Sequence, residues 1–228
     1  MNDYWKNHYN NNAIRFSDSL LKQVDRTVNG LEIGQDQLEL TINSVRENLQ
    51  LDKSDNIVDL CCGNGLVTCA IASDVNTIVG VDFSNKLIEH ANQMSVAPNL
   101  RYLVEDVTML DPSFYMVTNK VYMRDSVSCL DSQSLLNMLI NLRNAENVGA
   151  IFIAGVPDAS KLNIYYDDDR KMQYYLKREA DGKPHIGNWW SRNEMRDLVR
   201  QAGLRVNILD QNSRLASAFY RYDCIIEK

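Results

Sequence analysis

The feature that most constrains the fold is a regular alternation of short apolar segments with helix-like segments after residue 56. Five strands are predicted there, over residues 57–60, 77–82, 100–104, 120–123 and 149–154. Helices are expected up to about residue 72, over 85–94 and over 135–143. Ser84 is predicted to cap the second of these helices. Strands that alternate with helices indicate parallel βαβ units and an α/β fold with helices on both faces of the sheet.

The end of the chain departs from this alternation. A helix is predicted over 191–201, ending at Gly203, and two more strands over 204–209 and 218–227. Only a short polar loop separates these strands, so they must be antiparallel neighbours, because parallel neighbours need a longer crossover. The sequence therefore predicts a Rossmann-like, seven-stranded, mostly parallel sheet with an antiparallel C-terminal hairpin.

A separate segment, residues 1–54, precedes this pattern. It contains an amphipathic stretch whose apolar positions are Leu38, Leu40, Ile42, Val45 and Leu49. We expect two units, which are a helical lid segment over 1–54 and a ligand-binding domain over 55–228. Within the second unit, an insertion at about 156–190 is expected to cover a substrate site.

Charge and composition limit the classes of partner molecule that are expected. The 24 Lys and Arg against 30 Asp and Glu give a formal net charge of −6, which disfavours nucleic-acid binding. No apolar run approaches the roughly 20 residues of a membrane span.

Five cysteines, two of them adjacent, indicate reduced thiols and a cytoplasmic location. No metal site is expected, because the cysteine spacings match no zinc pattern and residues 167–169 suit the first turn of a helix. The oligomeric state is open and includes a homodimer.

Acidic and glycine residues follow the ends of the first three strands. Asp59 is followed by a turn that holds Gly63 and Gly65, Asp82 ends the second strand, and Asp106 follows the third. In open α/β sheets, ligands bind at the carboxyl ends of the strands, where the strand order reverses. A carboxylate at residue 82 can accept both hydroxyls of a ribose, and residue 106 with the Val107 amide can meet an adenine edge.

A nicotinamide-binding protein would share much of this arrangement. Its fingerprint requires a third glycine, at a position that is Thr68 here. The broken fingerprint and the terminal hairpin both count against that alternative.

Three segments resemble the motifs of the class I S-adenosylmethionine-dependent methyltransferases. VDLCCGNG resembles their glycine-rich motif, GVDFS their acidic motif and YLVEDVTML their adenine-side motif. The resemblance implies that the cofactor is bound by Asp59, Cys61, Gly63, Gly65, Asp82, Phe83 and Asp106. Val107, through its amide, and Met123, at the end of the fourth strand, are also predicted to bind the cofactor. Tyr4 and Trp5 are predicted to close over its methionine end, and the alternative is that they hold the N-terminal helix in place. Cys61 stands where the family more often has glycine, which is tolerable if φ there is negative. The N-terminal stretch resembles, more loosely, methyltransferases of cell-surface polysaccharide or other small-molecule biosynthesis.

The acceptor site is expected beside the cofactor. Tyr122, Arg124 and Asp125 at the end of the fourth strand, with Trp189 from the aromatic insertion, are the predicted substrate-binding residues. His185, on a loop able to reach the cleft, is the predicted general base. A solvent-facing loop and a separate small core of the insertion are the alternatives for these residues.

The resulting prediction is methyl transfer from S-adenosylmethionine to a hydroxyl or amine of a small-molecule or sugar-type acceptor. A nicotinamide-dependent oxidoreductase and a non-catalytic Rossmann-like binding protein are the two alternatives. An oxidoreductase would bind a nicotinamide cofactor. A non-catalytic binding protein would bind its cofactor without turnover.

Overall fold

A computed structural model describes residues 3–228 of the chain. The helices are α1 Asp3–Arg15, α2 Leu20–Gln23, α3 Gln35–Leu49, α4 Leu66–Ala72, α5 Asn85–Met94, α6 Ser132–Asn144, α7 Leu162–Tyr165, α8 Asp169–Ala180 and α9 Arg192–Gln201. The strands are β1 Thr27–Val28, β2 Leu31–Glu32, β3 Asn56–Leu60, β4 Thr77–Asp82, β5 Leu100–Val104, β6 Lys120–Arg124, β7 Ala150–Pro157, β8 Arg205–Asp210 and β9 Arg221–Glu227. None of these helices is long and apolar enough to cross a bilayer.

Seven strands form one sheet in the order β5-β4-β3-β6-β7-β9-β8. The pairs among β5, β4, β3, β6 and β7 are parallel, whereas β9 is antiparallel to both β7 and β8. The strand order reverses at β3, because β4 lies on one side of it and β6 on the other. The predicted α/β class and the antiparallel C-terminal hairpin are confirmed.

Alternation along the strands explains why both faces of the sheet are covered. Successive side chains of a strand point to opposite faces, and all of them are apolar when both faces are buried. Ile151 and Ile153 of β7 pack on the face covered by α6 and α9. Phe152 and Ala154 pack on the face covered by α3 and α4. The sheet therefore has a hydrophobic core on each side. Its faces are covered, and the ends of its strands remain available for a binding site.

The boundaries of the elements follow the sequence closely. Ser84 caps α5, since its hydroxyl accepts a hydrogen bond from the Leu87 amide. Strands β4 and β5 have the predicted bounds, whereas β9 begins three residues later than predicted, at Arg221. The small antiparallel ribbon of β1 and β2 was not predicted, because a two-residue strand leaves no period in the sequence.

Candidate functional site

A cleft of ≈ 990 Å³ opens at the carboxyl edge of the parallel strands. Its lining comes from the ends of β3, β4 and β6, from the N-terminal segment and from the insertion after β7. Ligand pockets commonly measure roughly 300–1,000 Å³, so the cleft can hold a cofactor-sized molecule together with part of a second ligand. It lies at the reversal of strand order, where the sequence predicts the site.

The turn after β3 forms the floor of the cleft and depends on glycine. Gly65 has a φ of +75°, and a Cβ there would lie 2.1 Å from the hydroxyl oxygen of Tyr102. Gly63 also has a positive φ, and its amide donates to a carboxylate oxygen of Asp82 over 2.9 Å. Both positions therefore exclude a side chain for steric as well as conformational reasons.

Cys61, in the same turn, corrects one expectation. Its φ is +62°, not negative. A residue with a Cβ therefore adopts a left-handed backbone conformation, which glycine adopts without the steric cost of a Cβ. The side chain is partly buried against the apolar core beside α6. The turn therefore stores local backbone strain at the edge of the cleft.

Asp82 is buried at the end of β4 and holds the turn in place. One oxygen accepts from the Ser84 amide and the other from the Gly63 amide, both over 2.9 Å. Burial raises the pKa of this carboxyl to about 6, although the two amide donors act in the opposite direction. The carboxylate is thus fixed in orientation and available to further donors in the cleft.

Asp59 is the second buried acid of the cleft. Burial raises its pKa to about 7, partly opposed by hydrogen bonds from the Thr68 hydroxyl (2.6 Å) and the Tyr122 hydroxyl (2.5 Å) to the same carboxylate oxygen. The side chain of Tyr122 is only 1% exposed. Its hydroxyl is thus committed to Asp59, and a direct contact of Tyr122 with substrate stays a prediction.

The arginine cluster, which is Arg26, Arg124 and Arg221 around Asp125, occupies another part of the cleft. The oxygens of the Asp125 carboxylate lie 3.4 Å from Arg26 Nη1, 3.4 Å from Arg124 Nε and 3.0 Å from Arg221 Nη1. Burial would raise the pKa of Asp125, but the three guanidinium groups outweigh it and lower that pKa. Asp125 is therefore a permanent anion shared by three cations.

Aromatic side chains form the wall beside the cluster. Tyr165 and Tyr220 have ring centroids 4.5 Å apart, and the guanidinium of Arg221 lies 5.1 Å from the Tyr220 ring centroid. The ring of Trp189 packs 5.8 Å from that of Tyr165, but Trp189 itself does not line the cleft. Some aromatic residues of the insertion therefore line the cleft and others pack behind them, and their contact with substrate stays a prediction.

His185 lies at the exposed rim of the cleft. Its Nδ1 is 3.1 Å from the hydroxyl of Tyr166. Desolvation by the surrounding residues, helped by the charge of Arg178, lowers the pKa of the imidazole. A lowered pKa keeps the ring neutral at pH 7, which is the form a general base needs.

The N-terminal helix reaches across the cleft to the insertion. The Tyr4 hydroxyl donates to the carbonyl of Pro184 (3.2 Å) and accepts from Arg178 (2.6 Å). On the other side, α1 packs on α5, and the Ser84 hydroxyl donates to Asn10 over 2.8 Å. Residues 1 and 2 of the expected lid lie outside the described residues. The lid function of the segment and the domain division stay predictions.

Most of the predicted site residues meet in this cleft. Those that line it are Tyr4, Trp5, Asp59, Cys61, Gly63, Asp82, Phe83, Tyr122, Arg124, Asp125 and His185. Those that do not are Gly65, Asp106, Val107, Met123 and Trp189. The side chain of Met123 lies in the core between the sheet and helices α6 and α9. Met123 could therefore contact a ligand only through its backbone. Asp106 accepts from the amide and hydroxyl of Thr108. The individual roles of all these residues stay predictions.

Two residues of the arginine cluster were missed by sequence reasoning. Arg221 had an available signal, because a strand antiparallel to β7 must begin at the carboxyl edge of the parallel strands, and Arg221 is the first residue of β9. Arg26 had none, since it lies in an irregular part of the N-terminal segment, next to the short ribbon of β1 and β2.

Known proteins share this architecture. Residues 57–144 match the family model described as a methyltransferase domain. The chain is 31% identical over 80 residues to an uncharacterized methyltransferase of Synechocystis sp., which covers 35% of this chain and 38% of the relative. It is 21% identical over 132 residues to the tRNA (uracil-5-)-methyltransferase homolog A of Mus musculus, covering 57% of this chain and 22% of that protein. The chain thus spans well under half the length of these curated relatives.

A solved structure shows the same fold over the whole chain. Magnesium protoporphyrin IX methyltransferase from Synechocystis PCC 6803 with bound SAH is similar with a TM-score of 0.66 and 14% identity, and the match covers 100% of both chains. Residues 57–144 thus match a methyltransferase domain, and the chain shares the fold of a solved S-adenosylmethionine-dependent methyltransferase. The predicted family, enzyme class and cofactor are confirmed at this level.

The residues of the cleft fit S-adenosylmethionine. Asp59 and Asp82 are each only 3% exposed and form no ion pair with the part of the chain that the structure describes. The cofactor brings a sulfonium, an ammonium and a ribose diol, which supply the positive charge and the donors that two buried carboxyls lack. Asp82, Phe83 and the turn at Gly63 would hold the adenosine side, and Asp59 the methionine side.

Proposed function

We propose that the protein transfers a methyl group from S-adenosylmethionine to a hydroxyl or amine of a small-molecule or sugar-type acceptor. The observation that carries the proposal is the joining, in one cleft, of the two buried acids Asp59 and Asp82 with an aromatic, cationic wall. The acids suit the cofactor, and the wall leaves a space beside it that a flat or polar acceptor can fill.

The chain's own residues would act mainly by positioning. When bound, S-adenosylmethionine supplies a methyl group already activated on a sulfonium. Asp59 and Asp82 fix the orientation of the cofactor, and Tyr165 and Tyr220 hold the acceptor against it. Positioning alone contributes about 7–11 kcal/mol in favourable cases. His185 would take a proton from the acceptor atom, a contribution of roughly 10²–10⁴-fold to the rate.

A macromolecular acceptor fits less well. The name of the mouse relative refers to tRNA, and a phosphate backbone would meet the arginine cluster favourably. The whole chain is nevertheless acidic, with a net charge of −6, and the cationic residues lie inside a cleft that α1 and the insertion partly close. A small acceptor is therefore the proposal. A cytoplasmic location and a homodimer stay predictions.

Calorimetry and a turnover assay test the proposal together. We expect S-adenosylhomocysteine to bind the purified chain, and labelled methyl to pass from S-adenosylmethionine to members of a panel of small hydroxyl and amine compounds. No binding of either cofactor form at millimolar concentration would contradict the proposal. Binding without transfer to any acceptor class would favour a non-catalytic binding protein.

His185→Gln tests the general base. We expect turnover to fall by roughly 10²–10⁴-fold, while the affinity for S-adenosylhomocysteine stays the same. His90→Gln is the matched control, because His90 lies in α5 outside the cleft lining. Equal turnover in the His185 variant and the wild type would remove His185 from the proposed mechanism.

A further inference from the structure

The arginine cluster carries more positive charge than the described chain neutralises. Its three guanidinium groups converge on the single carboxylate of Asp125. Within residues 3–228 no other carboxylate forms an ion pair with Arg26, Arg124 or Arg221. Counted over these ion pairs, three positive charges and one negative charge leave the cluster with a formal surplus of two, while the carboxyls of Asp59 and Asp223 interact with Arg26 and Arg124 from farther away.

The positive charge of Arg124 lies in the interior of the protein. Its side chain is only 5% exposed. Its Nη2 donates to the Thr41 hydroxyl over 3.4 Å, whereas Nε has only the 3.4 Å ion-pair contact with Asp125, and Nη1 has no hydrogen-bond partner among the residues that the structure describes. The Nε of Arg221 is in the same situation. Buried charged donors without acceptors are costly, so an arrangement of this kind is stable in the presence of an anion that accepts from them.

The cluster is also held rigidly. Arg221 donates to the carbonyl of Gly155 over 2.6 Å and to Asp125 over 3.0 Å. Gly155 has a φ of +74°, and a Cβ there would lie 1.9 Å from a carboxylate oxygen of Asp125. Asp125 itself has a φ of +57°. The carboxylate thus sits directly on the Gly155 backbone, and the guanidinium groups are organised before any ligand arrives.

The position of the cluster separates it from the adenosine end of the cofactor site. In the sheet order, two strand spacings separate β4, which ends at Asp82, from β6, which ends at Arg124, and four separate β4 from β9, which begins at Arg221. At about 4.8 Å for each spacing, these distances are roughly 10 and 19 Å. Tyr165 and Tyr220 form the adjoining wall, so the cluster belongs to the acceptor side of the cleft.

We propose that the arginine cluster is an oxyanion-binding subsite, and that the methyl acceptor therefore carries a carboxylate or phosphate group. The inference rests on the proposed methyl transfer and adds the charge class of the acceptor. The oxyanion accepts from Arg26, Arg124 and Arg221, while the body of the acceptor lies against Tyr165 and Tyr220. Guanidinium groups suit this task because their planar donors match the geometry of carboxylate and phosphate.

Titration of inorganic phosphate into the protein saturated with S-adenosylhomocysteine tests the subsite. At constant ionic strength, with chloride as the reference salt, we expect saturable phosphate binding of the same affinity with and without S-adenosylhomocysteine. Absence of saturable phosphate binding would overturn the proposal. Binding that S-adenosylhomocysteine abolishes would also overturn it, because the cluster would then hold the carboxylate of the cofactor.

Two substitutions with opposite expected effects sharpen the test. Arg124→Gln should weaken phosphate binding by about tenfold or more, whereas Asp125→Asn should strengthen it by a similar factor, because the competing internal anion is removed. Asparagine tolerates the positive φ at residue 125, so this variant keeps the fold even if Arg124→Gln does not. Weaker or unchanged phosphate binding in Asp125→Asn would contradict the subsite.

Arg205→Gln is the matched control, because this exposed arginine of β8 donates to the carbonyl of Lys228 and lies outside the cleft lining. We expect its phosphate and S-adenosylhomocysteine titrations to match those of the wild type. The two proposals can fail separately. Lack of S-adenosylhomocysteine binding in the wild type contradicts the proposed function, whereas normal S-adenosylhomocysteine binding without phosphate binding contradicts only the subsite.

Discussion

The two sides of the cleft differ in how their charges are satisfied. On the cofactor side, Asp59 and Asp82 accept hydrogen bonds from hydroxyls and backbone amides, and within residues 3–228 neither forms an ion pair. On the acceptor side, three arginines share one carboxylate and keep donors without partners in the described structure. One side thus prefers a ligand with positive charge and hydroxyls, and the other prefers an anion. Recognition of the two substrates is divided by the sign of charge.

The largest expected effect concerns the turn that builds the cofactor side. Gly65→Ala places a Cβ at φ +75° and 2.1 Å from the Tyr102 hydroxyl. We expect a loss of about 2–5 kcal/mol in the free energy of unfolding, from the left-handed backbone and the overlap together. Urea unfolding measures it. Gly182→Ala is the control, because φ is +63° there and nothing lies within 4 Å of the added Cβ. Equal losses in both variants would show that the overlap contributes nothing.

Removal of an acid from the cofactor side should reduce the affinity for the cofactor and leave the affinity for phosphate unchanged. Asp82→Ala removes the carboxylate that we expect to accept from the ribose hydroxyls, and it leaves the Gly63 and Ser84 amides without their partner. Hydrogen bonds to charged groups contribute about 1.5–3 kcal/mol, so we expect S-adenosylhomocysteine to bind roughly 10–150-fold more weakly. Calorimetry measures the affinity for S-adenosylhomocysteine. Asp74→Ala, which removes a surface partner of Arg46, is the control. A phosphate affinity reduced by the same factor would contradict the division of the cleft.

The pH dependence of cofactor binding tests the same acid without a mutation. The pKa of Asp82 is raised to about 6, so the carboxylate that we expect to accept from the ribose is ionised above this pH and protonated below it. We expect the contribution of Asp82 to the affinity for S-adenosylhomocysteine to be complete above about pH 7. The affinity should decrease as the pH falls through 6, by about tenfold for each unit below it. Titrations at pH 5 to 8 measure the profile. An inflection near 6 that persists in Asp82→Asn would assign it to another group.

The smallest expected effect is a gain in stability. Cys61→Gly relieves a side chain held at φ +62°, and we expect the free energy of unfolding to rise by about 1 kcal/mol. Gln50→Gly, at φ +48° in the C-cap of α3, is a control for the same relief far from the cleft. Thermal unfolding compares the three proteins. Destabilisation by Cys61→Gly would show that packing of the Cys61 side chain outweighs the backbone strain.

The cofactor side could be predicted because its signals are local. The turn at Gly63 and Gly65 and the cap at Ser84 each lie within a few residues of the strand that they follow. The positive φ of Cys61 could not be predicted, because it depends on how the whole turn meets the sheet. The acceptor side was predicted only in part, since Arg124 and Asp125 follow a strand whereas Arg26 and Arg221 reach them from distant segments. Such convergence is a product of tertiary packing and leaves no spacing in the sequence.

The division of the cleft by charge is tested most directly by two titrations of two variants. S-adenosylhomocysteine and inorganic phosphate are each titrated into Asp82→Asn and Arg221→Gln, with the wild type as reference and thermal unfolding as a check of the fold. The account predicts that Asp82→Asn weakens only the binding of S-adenosylhomocysteine and that Arg221→Gln weakens only the binding of phosphate. Loss of both ligands in the folded Arg221 variant would contradict it, because the arginine cluster would then belong to the cofactor site.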